Sequence, residues 1–356
     1  MNERLIAIRK ICGQNSFDAF MVSNDVNRRY LSGFDGSAGT LLISQEKAYL
    51  VTDFRYIEQA TAQAEGFEVK KRGDDLHQSM AQLFAECGWS KIAFESKQVS
   101  YAEYIEMKEE LGVELIPLDG AVEKLRMIKN KRELEILRSG AQELDRAFRY
   151  ICTKLRPGIT EKEIDLELEF YLRRNGAEAA AFRFIVASGE RGALPHGTAT
   201  TKKLAHGELV TIDFGAVYDG YATDMTRTAA IGSTVQRQRE IYGIVEEARS
   251  AAAAFVKPGI KANEADQVAR DIIEKAGYGA YFGHGLGHGV GLETHEQPTL
   301  NPRSTTLLEP GMVITVEPGI YIPGWGGVRI EDMVLVTAEG AELLTRSPRE
   351  LITINC

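Results

Sequence analysis

Cysteine is scarce in this chain: four residues in 356, Cys12, Cys87, Cys152 and Cys356, lie far apart with no CxxC spacing. That pattern argues against a disulfide framework or a zinc knot and fits reduced thiols, small buried or surface residues in a reducing compartment. No apolar run approaches the roughly 18 residues of a membrane span. The start, Met1 to Lys10, scatters charges through its apolar positions and has no continuous hydrophobic core, so it does not read as a signal peptide, and a cytoplasmic location is expected. Blocks of Lys and Arg are missing too. With 42 basic against 51 acidic residues and a net charge of −9, the chain has no nucleic-acid footprint. What remains is ordinary globular composition, 44% apolar and 26% charged, in a length that suggests two domains and excludes disorder and collagen-like repeats.

Residues 1 to about 120 alternate between short β-rich runs and helical ones. Ala19 to Ser23, Thr40 to Ser44, Ala48 to Thr52, Lys91 to Phe94 and Glu114 to Pro117 read as strands. Tyr56 to Ala64, Leu76 to Cys87 and Tyr101 to Leu111 carry helical spacing, which predicts a small α/β domain. Asn130 then opens a polar helical stretch, Lys131 to Leu155, with Leu134, Leu137, Ala141, Leu144, Phe148 and Ile151 on one stripe. The domain boundary is expected near 120 to 130, giving domains 1–122 and 123–356.

The second part contains a repeat. Leu155-Arg-Pro-Gly-Ile-Thr-Glu-Lys-Glu-Ile-Asp165 matches Val256-Lys-Pro-Gly-Ile-Lys-Ala-Asn-Glu-Ala-Asp266, and Gly207-Glu-Leu-Val-Thr-Ile-Asp213 matches Gly311-Met-Val-Ile-Thr-Val-Glu317. Two helix-helix-strand units in tandem are too few for a solenoid but suit a pseudo-twofold domain with one joint site. Each copy ends its first strand on a carboxylate.

Leu209 to Thr226 reads as a hairpin about an Asp219-Gly220 turn. A two-residue loop pairs Tyr218 with Tyr221 and sets Asp213 opposite Thr226, leaving Asp224 one diagonal step from Asp213 on the same face, about 7 to 8 Å away. Two bare carboxylates so close repel each other, so a positive partner is expected between them. The second copy offers Glu317 and, beyond a Gly/Pro-rich connection, Val328 to Leu335, where period-2 alternation puts Arg329 and Glu331 on one face. Glu317 matches Asp213, and Glu331 matches Asp224. Any one of these acids alone reads as a solvated strand residue. Four at matched positions, in apolar strands where a free charge is costly, read as a converging set.

Six histidines serve the whole chain, and three fall within Gly283 to His295. His284 and His288, four apart, share one face of an extended segment, and the glycines around them permit close approach. A phosphate cradle is the weaker reading, because no Walker lysine or strand-to-helix context accompanies them. His196 stands 17 residues before Asp213 and can join from a loop, while His77 and His206 have nothing around them to lift them above structural residues. Four carboxylates and one imidazole without a thiolate suit two divalent ions such as manganese, cobalt, iron or zinc, and paired metals point to hydrolysis.

At these residues the sequence resembles the pita-bread metallopeptidases, the family of methionine aminopeptidase, aminopeptidase P and prolidase. The five-ligand pattern is complete: Asp213, Asp224, His288, Glu317 before Pro-Gly, and Glu331 in Val-Arg-Ile-Glu-Asp. The leading 120 residues, with Tyr30-Leu-Ser-Gly-Phe34 and Thr52-Asp-Phe-Arg-Tyr56, resemble the creatinase-type N-terminal domain of the proline-specific and creatinase branches, which methionine aminopeptidases generally lack. The resemblance implies an α+β chain, a creatinase-type α/β domain followed by a pseudo-twofold pita-bread domain. It implies hydrolysis of the bond between an N-terminal residue and proline, as an Xaa-Pro dipeptidase or an Xaa-Pro aminopeptidase. By the same resemblance, Asp224 and Glu331 bridge two metal ions, Asp213 holds one, and His288 with Glu317 holds the other. A metal-bridging hydroxide is then the nucleophile and Glu317 the proton carrier. His295 stabilises the tetrahedral intermediate, His284 and His196 fix substrate, and Arg329 orients metal ligands or a substrate carboxylate. Manganese, a homodimer and small peptide substrates with proline in second position follow from the family, with no membrane partner. Whether the substrate is a dipeptide alone or a longer peptide stays open. The intact ligand set argues against creatinase-like amidinohydrolases, and the alternatives are methionine aminopeptidase-like activity or a non-catalytic pita-bread binding module.

Overall fold

The structure, a computed structural model, describes residues 3–15 and 17–355, so the reading of Cys356 as a small buried or surface residue lies outside the described residues. Cys12, Cys87 and Cys152 are free thiols. The chain divides into two compact units, Met1–Arg126 and Met127–Cys356. The 122/123 boundary expected from sequence lies within the helix Ala121–Met127.

The first unit is built on a six-stranded mixed sheet with the strand order Glu68–Lys71, Ala48–Thr52, Thr40–Ser44, Ala19–Val22, Lys91–Phe94, Glu114–Pro117. The central strands are buried on both faces, as their continuous apolar runs require. Leu42, Tyr49, Met80, Phe84, Ile92 and Met107 form one core of this sheet with its helices. Four elements stand beyond the expectation, among them the helices Glu3–Gln14 and Ala121–Met127. Glu68–Lys71 is a polar edge strand, and Asp25–Ser32 is a helix capped by Asn24, whose side chain accepts from the Asn27 N–H.

In the second unit the helix Lys131–Cys152 starts on a capping box between Asn130 and Glu133 and buries Leu137, Ala141, Leu144, Phe148 and Ile151. It stops three residues short of Leu155, ahead of the Arg-Pro-Gly turn. Each buried Leu or Phe of that stripe contributes about 1.5–3 kcal/mol. Glu161–Arg174 follows on a second capping box, Thr160 with Glu163. The repeat continues with the helices Gln236–Phe255 and Ala262–Lys275.

Each helix pair covers one sheet. The first sheet has four strands in the order Ile352–Ile354, Met225–Ile231, Leu209–Phe214, Ile185–Ser188, and its core gathers Phe148, Leu168, Val210, Ile212 and Phe214. The second has five in the order Glu296–Leu300, Gly287–Gly289, Val313–Val316, Asp332–Val336, Ala341–Leu343, packed on Val245, Ala252, Ala269 and Ile273. Where the two sheets meet, the Glu331 N–H donates to the Thr226 carbonyl at 3.0 Å. That seam carries the site.

Candidate metal centre

Asp213 lies one residue from the end of the strand Leu209–Phe214 and stands opposite Thr226, the register expected from the turn. Tyr218 pairs with Tyr221, and Asp219 (φ 47°) and Gly220 (φ 80°) both take positive φ, as a two-residue turn of this hand needs. The hairpin is not one continuous ladder, however. It breaks at Gly215 and again at Thr223 and Asp224. A Cβ on Gly215 would stand 1.9 Å from the Thr223 carbonyl oxygen, so the chains cross there only because the side chain is missing. Past the break, Ala216–Tyr218 is the middle strand of a separate small sheet, pairing with Tyr221–Ala222 on one side and Ala179–Ala180 on the other. Asp224, outside both strand segments, is buried in the wall of the same cavity as Asp213.

In the second copy Glu317 directly follows Val313–Val316, and its N–H donates to the Leu286 carbonyl at 2.8 Å. The expected Val328 to Leu335 strand is split at Ile330 and Glu331, because the Glu331 N–H bonds to Thr226 rather than to a neighbour in its own sheet. The Gly/Pro-rich connection is itself a hairpin, Gly319–Ile322 against Gly326–Arg329. His288 sits in the short strand Gly287–Gly289. His284 falls in a bend ahead of it, so the two do not share one extended segment, yet both line the cavity.

That cavity, about 690 Å³, is lined by Asp213, Asp224, Glu317, Glu331, His196, His284, His288, His295 and Arg329, with Phe182, Ile185, Pro195 and Tyr321 among its apolar and aromatic parts. Every sequence-predicted site residue is therefore in one place. Ligand atoms of Asp224, His288 and Glu331 lie within 4.8 Å of one another. His288 Nε2 is 3.1 Å from Glu317 Oε1 and 3.7 Å from Asp224 Oδ2, while its Nδ1 faces the Gly289 carbonyl at 3.1 Å, which leaves Nε2 as the nitrogen turned to the acids. The His295 ring lies 4.3 Å from that of His288.

Three carboxylate oxygens here, Asp213 Oδ1, Asp224 Oδ1 and Glu331 Oε1, are buried without a hydrogen-bond partner. Such atoms are costly unless something positive faces them. Burial pushes the Asp224 and Glu331 carboxyls well above the usual carboxylate range, and the neighbouring acids add to it. Burial also raises Asp213, although Arg329 opposes it. Glu317 goes the other way, to about 2. Burial raises it, but the hydrogen bond from His288 and the charges of His288, His284 and Arg329 prevail. His288 is correspondingly raised, Glu317 outweighing its burial. A crowd of oxygen donors with one imidazole, short of positive charge and of hydrogen-bond donors, fits divalent cations.

A family model for metallopeptidase family M24 matches residues 135–338, and one for the creatinase/prolidase N-terminal domain matches residues 4–128. The chain belongs to metallopeptidase family M24. This metallopeptidase is similar to the solved Xaa-Pro dipeptidase from Bacillus anthracis, at 48% identity and a TM-score of 0.97 over 99% of both chains. It is 40% identical to the Xaa-Pro dipeptidase of Pyrococcus horikoshii over 88% of both chains. The X-Pro aminopeptidase from Thermotoga maritima superposes at a TM-score of 0.90 with 38% identity, over 98% of this chain and 99% of that one. The creatinase-type and pita-bread domains expected from sequence are both present, the protein is a hydrolase of the metallopeptidase class, and membership implies divalent metal ions. No helix among the described residues is long and apolar enough to cross a membrane.

The metallopeptidase site also rests on residues that the sequence reading did not single out. The Thr226 hydroxyl donates to Glu331 Oε2 at 2.6 Å and accepts from Arg329 Nε at 3.2 Å, so its one proton is committed to the carboxylate. The Tyr321 hydroxyl lies 2.9 Å from both His284 Nε2 and Arg329 Nη1. Asp266, fully buried on its helix, accepts from the Leu286 N–H at 2.9 Å and pairs with Arg270, which donates to the carbonyls of Phe282 and His284. That pair pins the main chain leading into His288. An acid on the apolar stripe Ala262, Ala265, Ala269, Ile273 with an arginine four residues on was its sequence signal. Behind the hairpins, Asp332 accepts from Arg227, Arg249, Arg349 and Thr345.

Proposed function

We propose that this protein hydrolyses the peptide bond between an N-terminal residue and proline, with Xaa-Pro dipeptides as its first substrates. The observation that carries the reading is the set of three buried, unpartnered carboxylate oxygens on acids that line the same cavity as His288. Asp213, Asp224, His288, Glu317 and Glu331 would hold the metal ions, manganese on the family resemblance, which when bound activate a water and polarise the scissile carbonyl.

The chain's own side chains do the rest. Glu317, hydrogen-bonded by Thr315 at 3.0 Å and facing His288, is placed to carry a proton from the attacking water to the leaving nitrogen. His295, whose ring lies 4.3 Å from that of His288 in the cavity wall, donates to the developing oxyanion in this reading. His284 is held by Tyr321 and the Gly285 carbonyl, and His196 lines the same cavity from the Pro195–Thr198 loop, so both can meet a substrate. An Xaa-Pro bond is a tertiary amide without an N–H, so recognition depends on shape and on these wall donors.

The similarity to the Bacillus anthracis and Pyrococcus horikoshii dipeptidases favours the dipeptide reading, and that to the Thermotoga maritima aminopeptidase keeps release of one residue from longer peptides as the second. A homodimer and a cytoplasmic location belong to the same reading on family grounds. The test is hydrolysis of Ala-Pro, Ala-Pro-Ala and Met-Ala-Ser by protein stripped of metal and reloaded with Mn²⁺. Ala-Pro alone being cut identifies a dipeptidase, and release of Ala from Ala-Pro-Ala an aminopeptidase. Cleavage of Met-Ala-Ser only, or of none, overturns the proline-specific reading.

A further inference from the structure

Glu161 opens the helix Glu161–Arg174 directly after its cap Thr160, has no exposed surface, and is not among the residues lining the cavity. All its side-chain partners come from one segment that starts at Ser188, the last residue of the strand Ile185–Ser188, and ends at Thr200, ahead of Leu209–Phe214. Oε1 accepts from the Ser188 N–H and hydroxyl, both at 2.9 Å. Oε2 accepts from the Thr200 N–H at 3.1 Å, the Thr200 hydroxyl at 2.7 Å and Arg191 Nη1. The other end of the same guanidinium, Arg191 Nη2, donates to the Thr198 carbonyl at 2.7 Å. One buried carboxylate thus ties the start, the middle and the end of residues 188–200 together.

Between those ties the chain turns sharply, Leu194 N–H to the Arg191 carbonyl and Gly197 N–H to the Leu194 carbonyl, each at 3.0 Å. The tip presents Pro195, His196 and Thr198 to the cavity, and the Pro195 carbonyl accepts from Arg329 Nη1 at 3.2 Å. A charge this deep is costly unless fully matched, and here the matching donors all belong to the wall that carries His196. Burial would raise the Glu161 carboxyl, but Arg191, Thr200 and Ser188 together hold it below its ordinary range. It stays an anion and keeps accepting. None of the five candidate metal ligands lies on this segment, which lines the cavity through Pro195, His196 and Thr198.

We propose that Glu161, with Arg191, is a positioning residue that fixes the His196-bearing wall against which the Xaa-Pro substrate is oriented. The proposal rests on the peptidase reading above. A wall that wavers by an ångström costs up to about 100-fold in productive orientation without touching the metal ligands.

The test compares wild type with Glu161→Gln, which takes from the pocket the second acceptor oxygen and the charge. The expected result is a loss of roughly 10- to 100-fold in kcat/KM for Ala-Pro, carried mainly by KM, with calorimetric Mn²⁺ affinity unchanged. Hydrogen exchange speeds up in peptides covering 189–200 and not in those covering 209–231 or 313–336. Should Glu161→Gln fail to fold, Thr200→Val removes a single donor and shows a smaller shift of the same kind. Unchanged KM and exchange in a folded variant overturn the proposal, as does Mn²⁺ affinity falling together with kcat. Wild type that turns over no peptide overturns the peptidase reading and with it the substrate role, while the exchange result reads the strut by itself.

Discussion

Arg329 Nη2 lies 2.5 Å from Asp213 Oδ2, and the same guanidinium reaches the Thr226 hydroxyl, the Tyr321 hydroxyl and the Pro195 carbonyl. One cation therefore holds one oxygen of Asp213 and leaves the other, Oδ1, unpartnered and turned to the centre. Arg329→Met removes the charge that opposes the rise of Asp213, and the orienting fork with it. Mn²⁺ affinity is expected to fall about 10- to 100-fold, the usual loss for a ligand's supporting partner. Arg329→Lys recovers only part of it, because a single ammonium does not reproduce three nitrogens aimed at four groups. Isothermal titration with Mn²⁺ measures both, and an unchanged affinity in Arg329→Met contradicts this role.

Metal binding is expected to release protons. Asp224 and Glu331 are both held well above the ordinary carboxylate range by burial and by the charges of neighbouring carboxylates, Glu317 and Asp213 for both, so the metal-free site keeps a proton that a cation displaces. The sign follows. Affinity rises with pH as that proton is more easily lost. Titrations repeated in buffers of different ionisation enthalpy show a buffer-dependent heat if this holds, and the same heat in every buffer if it does not.

The acids of the site were legible in the sequence for a physical reason: the Asp219-Gly220 turn sets the ladder, and the ladder sets which side chains face together. Strands such as Thr40–Ser44 and Ala48–Thr52, buried throughout, announce themselves as apolar runs. The helix Asp25–Ser32 does not, because its buried face includes Asn27 and Arg28, polar residues that find partners outside the helix, Glu95 for Asn27 and the Gly36 and Gly39 carbonyls for Arg28. The edge strand Glu68–Lys71 carries three charges in four residues and no alternation to read. The breaks at Gly215 and Ile330 were hidden for another reason. They arise where a backbone group leaves its own ladder for a partner elsewhere in the chain, as when the Gly215 carbonyl accepts from the Ala181 N–H and the Glu331 N–H donates to the Thr226 carbonyl. The struts through Glu161 and Asp332 are of the same kind: local pattern shows an acid, and only the fold supplies its arginines from distant segments.

The Asp332 cluster makes a stability prediction. Asp332 is fully buried and meets Arg227 at 2.7 Å and Arg249 at 2.9 Å, with Arg349 at 2.9 Å on the same oxygen as Arg249. Asp332→Asn leaves buried guanidinium groups without their counter-charge and is expected to cost about 3–5 kcal/mol. Burial would raise this carboxyl, but the three arginines hold it below its ordinary range. A depressed folded value stabilises above the unfolded value and is lost as pH falls through the folded one. The gap between wild type and Asp332→Asn should therefore be full at pH 6 to 7 and shrink below about pH 4. Denaturant unfolding at several pH values checks it, and a gap that widens on acidification contradicts it.

Two hairpins converging upon shared cations are the centre of this function, and Glu331, bonded through its N–H to one half of the domain while belonging to the other, tests that convergence most directly. The measurement is Mn²⁺-dependent hydrolysis of Ala-Pro by Glu331→Ala beside wild type, with circular dichroism confirming that both are folded. We expect wild type to lose turnover on metal removal and regain it with Mn²⁺, and folded Glu331→Ala to show none at any Mn²⁺ concentration. Full Mn²⁺-dependent activity in Glu331→Ala would contradict the account.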